Sequence, residues 1–139
     1  MQEELWAALD KVEKKLSTSR FLVSNSLITE ADVRLFPTII RFDAVYSTLF
    51  KCSKKSIRTH YPCIEEWMRD VYQLLDDPPP PPPPFRRLLR VRDTIDVDKA
   101  RSNYYSQLFP LNPSGIIPSG PTLLDLELDR PTRWRKGKE

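Results

Sequence analysis

The stretch Thr29-Glu30-Ala31-Asp32-Val33-Arg34-Leu35-Phe36-Pro37-Thr38-Ile39-Ile40-Arg41-Phe42-Asp43-Ala44-Val45-Tyr46 decides how this chain folds. Asp32 follows Thr29 at the third position, the spacing at which a hydroxyl and a carboxylate cap a helix reciprocally. Ile28, just before the cap, stands where a hydrophobic staple packs on Val33. Glu30 and Asp32 also put negative charge at the positive end of the helix. The helix so opened is expected over 30–46. It is apolar nearly all round, at Val33, Leu35, Phe36, Ile39, Ile40, Phe42, Ala44 and Val45, which marks an element inside a bundle. Pro37 has no amide for the carbonyl of Val33 and should bend it. Arg34 and Arg41 lie seven apart, near one face, and need partners wherever that face is buried.

On the N-terminal side, Leu5, Leu9, Val12 and Leu16 recur at steps of four, three and four, the period of an amphipathic helix over 3–17. Trp6 and Ala8 widen its apolar face, Asp10, Lys11, Glu13, Lys14 and Lys15 form the wet side, and Ser17-Thr18-Ser19 stops it. On the C-terminal side, Lys51 to Arg58 is a basic connector. Tyr61-Pro62 then opens a helix running to about Leu75, with Ile64, Trp67, Met68, Val71, Tyr72 and Leu75 inward. Half of the 14 prolines form one block, Pro78 to Pro84. Such a block is an extended rod of about 3.1 Å per residue that a bundle core cannot absorb. Beyond it, Phe85 to Arg92 reads as a basic linker face, and Asp96 to Gln107 as a helix presenting Val97, Tyr104 and Tyr105. The remainder has too many prolines for a long helix. Leu111, Ile116, Ile117, Leu123, Leu124, Leu126 and Leu128 make it too apolar for a free tail, so an extended coat across the helices is expected.

The chain has 139 residues, 40% hydrophobic and 29% charged, which permits one domain. Its three glycines, at 115, 120 and 137, are never clustered, which excludes nucleotide enzymes of the G-x-x-x-x-G-K and G-x-G-x-x-G types. No apolar run approaches the roughly 20 residues that cross a bilayer, and the acidic start does not suit a secretory signal. No membrane partner is expected, and the expected compartment is cytoplasmic. Cys52 and Cys63 build no disulfide framework. With 22 Lys or Arg against 19 Asp or Glu, the net charge of +3 is too mild for a nucleic-acid footprint. Cys52, His60 and Cys63 supply three groups where structural zinc takes four, so no metal is expected.

The passage from Thr29 to Phe36, with Ile40-Arg41-Phe42-Asp43-Ala44-Val45-Tyr46 and Phe50-Lys51-Cys52, resembles the C-terminal helical domain of glutathione transferases. More narrowly, it is similar to the omega-like branch of glutathionyl-hydroquinone reductases. Tyr61-Pro62 with Trp67 and Leu74, then Thr94-Ile95, Tyr104-Tyr105, Asn112-Pro113, Gly115-Ile116-Ile117-Pro118 and Gly120-Pro121, stand in that family's order. The resemblance implies an all-α fold, a glutathione transferase C-terminal-like helical bundle over 1–121. A polyproline insertion interrupts it at 78–90, and an extended C-terminal coat leads into a partly ordered tail over 122–139. It implies a homodimer, and a missing thioredoxin-like domain that binds glutathione and carries a nucleophilic cysteine.

In the reaction implied by the resemblance, that cysteine attacks the sulfur of a quinone-type glutathione conjugate and hydroquinone leaves. A second glutathione, the co-substrate, resolves the mixed disulfide. Without the nucleophile domain this chain is expected to be inactive. The family's pocket tyrosines correspond to Tyr46 and Tyr104, whose phenols can hydrogen-bond a quinol oxygen while their rings pack on it. Packing is the competing role for both. Arg41 and Asp43 are supporting residues, either as an ion pair or as a brace for the Tyr46 turn. A second reading keeps the scaffold but makes it a non-catalytic interaction module, with the proline block as a spacer or as a rod for an aromatic groove.

Overall fold

A computed structural model describes residues 2–74, 76, 90–108 and 110–135. Leu75, the proline block, the basic stretch through Leu89 and the last four residues of the tail lie outside the described residues. Among the described residues the architecture is all helical, apart from one isolated bridge between Thr132 and Arg135. Helix α1 (Gln2–Leu16) packs along α5 (Pro62–Tyr72), and α2 (Glu30–Arg41) packs on both α5 and α6 (Val97–Gln107). Short helices α3 (Ser47–Leu49) and α4 (Ile57–His60) lie between α2 and α5 in the chain. Trp67, Ile39, Ile40, Ile64, Met68 and Val45 form the centre of the core.

The opening of α2 is built as a capping box and extended beyond it. The Thr29 amide and hydroxyl both donate to Asp32 Oδ2, each at 2.9 Å. Asp32 Oδ1 accepts the Leu22 amide at 2.9 Å and Trp67 Nε1 at 3.0 Å. The carboxylate is 0% exposed, so a helix cap doubles as the tie between α2, α5 and the loop after α1. The expected staple is not part of it. Ile28 and Val33 are 39% and 58% exposed, because the entry angle of the chain is already held by the carboxylate. Arg34 faces solvent and pairs with Glu30 at 2.6 Å, whereas Arg41 is half-buried.

Two faces of α1 differ from expectation. Trp6, Leu9 and Leu16 are buried, while Ala8 is exposed and Leu5 and Val12 are only partly covered. Glu13, expected on the wet side, instead accepts the Cys63 and Ile64 amides at 2.8 and 2.9 Å. These amides have no partner within their own helix, and Pro62 at its first position has none to satisfy, so Glu13 caps α5 from across the bundle.

Residues 122–135 lie against the bundle, but the coat is held by charge more than by the apolar residues expected to carry it. Leu126 and Leu128 are buried, whereas Ile116 and Leu124 are 72% and 88% exposed. α5 carries a line of acids, and the basic end of the chain runs over them. Arg133 pairs with Glu66 at 3.0 Å, Arg130 with Glu65 at 3.3 Å, and Arg135 with Asp70 at 2.6 Å. Asp70, 0% exposed, also takes Arg20 at 2.7 Å. Arg69 completes the seam by donating to the Arg130 and Pro131 carbonyls at 2.8 and 2.7 Å.

Candidate aromatic pocket

Expected to run unbroken to residue 46, the α-helix instead stops at Arg41 and widens. The Phe42 amide reaches back only to the Ile39 carbonyl, and the Ser47 amide then closes on the Phe42 carbonyl, leaving Phe42–Tyr46 as a single π-turn. One extra residue in the turn rotates the downstream side chains by roughly 100° relative to a continuous α-helix. Turns of this kind gather at functional sites. Here the widened turn packs against α6, α3 and α4.

Tyr46, at the end of the turn, meets Tyr104 of α6. Their hydroxyl oxygens are 3.2 Å apart and their rings stand edge to face, 5.5 Å between centroids at 76°. Phe50, one helical turn on, stacks obliquely on Tyr46 at 5.4 Å. An apolar groove of about 290 Å³ opens beside this cluster, lined by Gln2, Leu5, Thr38, Phe42, Tyr46, Phe50 and Cys52. Tyr105 is buried beneath as a packing residue. Burial pushes the Tyr46 phenol above its ordinary value, Tyr104 adds to that, and the Arg41 guanidinium opposes it.

The Phe50-Lys51-Cys52 segment closes the turn from below. Lys51 takes a left-handed backbone, φ +55°, which costs a side-chain-bearing residue roughly 1–2 kcal/mol. That reversal brings the Cys52 thiol to the Tyr46 carbonyl at 3.2 Å, while the Lys51 carbonyl accepts Gln2 Nε2 at 2.8 Å. Asp43 braces the other side. Its oxygens accept the Ile57 and Arg58 amides at 2.8 and 3.0 Å and pair with the Arg58 guanidinium at 3.3 Å, capping α4. Of the two supporting roles expected for Arg41 and Asp43, an ion pair between them is not what the structure holds. Asp43 instead pairs with Arg58, and the Arg41 guanidinium opposes, without outweighing, the effect of burial on the Tyr46 phenol.

Phe42, Phe50 and Thr38 line the groove although the sequence reading gives them no site role. The four-residue step from Tyr46 to Phe50 is the available signal, since such pairs meet on a helix. His60 is occupied by the Ser56 amide at 3.1 Å, and the described residues bring no three His, Cys, Asp or Glu together as a metal-binding group. Among them, no helix is long and apolar enough to cross a membrane.

Burial raises the thiols of Cys52 and Cys63 and the phenols of Tyr46, Tyr61 and Tyr72 above their ordinary values of 9.0 and 10.0. A neutral acid whose value is raised on folding keeps its proton longer in the folded chain. The unfolded chain ionises first, so stability is full at neutral pH and falls as pH rises through the thiol range and then the phenol range. Urea midpoints measured from neutral to alkaline pH should decline in that order. A flat profile through the thiol and phenol ranges would contradict the burial of these groups.

The glutathione S-transferase C-terminal domain family model matches residues 1–70. Glutathionyl-hydroquinone reductase YqjG of Escherichia coli is 35% identical over 118 residues, covering 85% of this chain and 31% of its own. Glutathionyl-hydroquinone reductase PcpF of Sphingobium chlorophenolicum is 38% identical over 117 residues, covering 84% and 32%. The glutathione-bound structure of YqjG superposes with a TM-score of 0.76 at 32% identity, over 95% of this chain and 37% of that one. The chain belongs to the glutathione S-transferase C-terminal domain family. It spans about a third of the length of these relatives.

Proposed function

We propose that this chain is the helical, acceptor-binding half of an omega-like glutathione transferase that reduces glutathionyl-hydroquinones. The observation that carries the reading is the Tyr46–Tyr104 hydroxyl pair, 3.2 Å apart and assembled from elements 58 residues apart beside an aromatic-walled groove. In this role the Tyr46 ring packs on the quinol, and the two phenols hold its oxygen as charge develops on it. Glutathione binding and the nucleophilic cysteine belong to a thioredoxin-like half, and turnover requires both.

The test compares glutathione-dependent reduction of a glutathionyl-hydroquinone by three proteins. They are this chain alone, the chain joined at its N-terminus to a thioredoxin-like half, and a Tyr46→Phe form of the joined protein. The chain alone should be inactive and the joined protein active. Removing one phenol should lower kcat by about 10²-fold, the effect of losing one donor to a developing oxyanion. Turnover by the chain alone refutes the half-enzyme reading. A joined protein that binds the conjugate without turning it over supports the interaction module instead. Equal turnover by the Phe variant, with unchanged circular dichroism, returns Tyr46 to packing.

A further inference from the structure

The groove beside Tyr46 has little polar capacity left to offer. Gln2, Thr38, Tyr46 and Cys52 are its polar lining residues, and the chain already uses three of them. Gln2 Nε2 donates to the Lys51 carbonyl at 2.8 Å, the Cys52 thiol donates to the Tyr46 carbonyl at 3.2 Å, and the Tyr46 hydroxyl is engaged with that of Tyr104. No charged side chain is among the lining residues, and the walls are Leu5, Phe42, Phe50 and the ring of Tyr46. Tyr104 is not among them either, so the paired hydroxyls mark an edge of the groove. A quinol whose oxygen meets that edge while its ring packs on Tyr46 extends its far side along the apolar walls. At about 290 Å³ the groove stands at the small end of ligand pockets, about 300–1,000 Å³, which suits one ring with a compact substituent.

Phe50 is the wall residue with the most surface still open. Its amide donates to the Tyr46 carbonyl at 3.0 Å and its ring rests on Tyr46 at 5.4 Å, so its position is held from both sides of the side chain. It nevertheless stays 45% exposed, between the buried Leu49 and the left-handed Lys51. An apolar ring fixed in place and open to water along a groove is surface that a ligand gains by covering. We infer that Phe50 is a specificity-determining residue of this pocket: it receives the substituent of the quinol ring, so that a compact alkyl group is favoured over an unsubstituted ring and a carboxylate is refused. A carboxylate placed there would lose water with no charged or free donor group to replace it. The inference rests on the reading of Tyr46 as a pocket residue and specifies which quinols the pocket prefers.

The full chain is titrated under argon at neutral pH with three quinols that share one ring: hydroquinone, tert-butylhydroquinone and 2,5-dihydroxybenzoate. Dissociation constants are read by ligand-observed NMR. In the wild type tert-butylhydroquinone should bind about tenfold tighter than hydroquinone, the effect of covering about 55 Å² of apolar surface. 2,5-Dihydroxybenzoate should bind about tenfold weaker than hydroquinone, because its carboxylate is desolvated without a partner. Phe50→Ala should bring the tert-butyl preference within about threefold, and Phe50→Leu should keep most of it. Phe50→Arg should reverse the order of hydroquinone and 2,5-dihydroxybenzoate, a gain that loss of folding does not produce. A tert-butyl preference that survives Phe50→Ala, or an order unchanged in Phe50→Arg, overturns the inference. Binding of all three quinols to the wild type without preference defeats the inference alone, and that measurement needs no variant to fold. Should no quinol bind the wild type, the pocket reading fails and the inference with it.

Discussion

Asp32→Ala should cost the domain about 4 kcal/mol, because four donors lose their acceptor at once and each buried orphan costs about 1–3 kcal/mol, least for the hydroxyl, which can rotate to another partner. These are the Leu22 and Thr29 amides, the Thr29 hydroxyl and Trp67 Nε1, from three separate parts of the chain, gathered on a side chain that is 0% exposed. For a domain whose whole stability is of the order of 5–15 kcal/mol, that is a large share. Asp32→Asn preserves the volume but turns an NH2 toward groups that are themselves donors, so it should recover little. Urea unfolding followed by tryptophan fluorescence reads both variants. A change under about 1 kcal/mol in Asp32→Ala would mean that the hub contributes far less than its geometry indicates.

The second large effect is expected at Asp70. Its carboxylate holds Arg20 of the loop after α1 and Arg135 of the coat, at 2.7 and 2.6 Å, from a fully buried position. Breaking a buried ion pair by removing one partner costs about 3–5 kcal/mol. The arginine side chains retain 24% and 28% exposure, so both heads can turn to water and the cost in Asp70→Ala should sit near the lower limit, about 3 kcal/mol. A second readout separates this from simple core loss. Releasing Arg135 should loosen the coat, so trypsin should cut after Arg133 and Arg135 faster than in the wild type, before the helices unfold. Unchanged cleavage together with unchanged stability would show that the coat is held elsewhere.

The residues differ in how much of their role is legible in the sequence. Thr29 and Asp32 announce a helix start because capping is local and depends only on a three-residue spacing. That the same carboxylate also holds Trp67 is not legible, since nothing in the spacing of 32 and 67 sets the approach of α2 to α5. Glu13 sits among lysines on the polar side of an amphipathic pattern, and only the position of α5 makes it a cap. The coat is foreseeable from its leucines and isoleucines, yet the anchors are arginines, because the acids they meet are brought into line only once α5 is formed.

The site shows the same division. Resemblance to a family singles out Tyr46 and Tyr104 together, whereas periodicity alone offers no reason to bring residues 58 apart into contact. Helical period and capping by themselves determined four helical stretches, the places where α2 and α5 begin, and which faces are apolar. Those properties depend on neighbours a few residues away. Tertiary structure alone decided the π-turn, the pairing of Asp43 with Arg58 and the meeting of the two phenols. Each depends on where a distant element comes to rest, and a one-residue change in helical phase is enough to send Tyr46 to a different face.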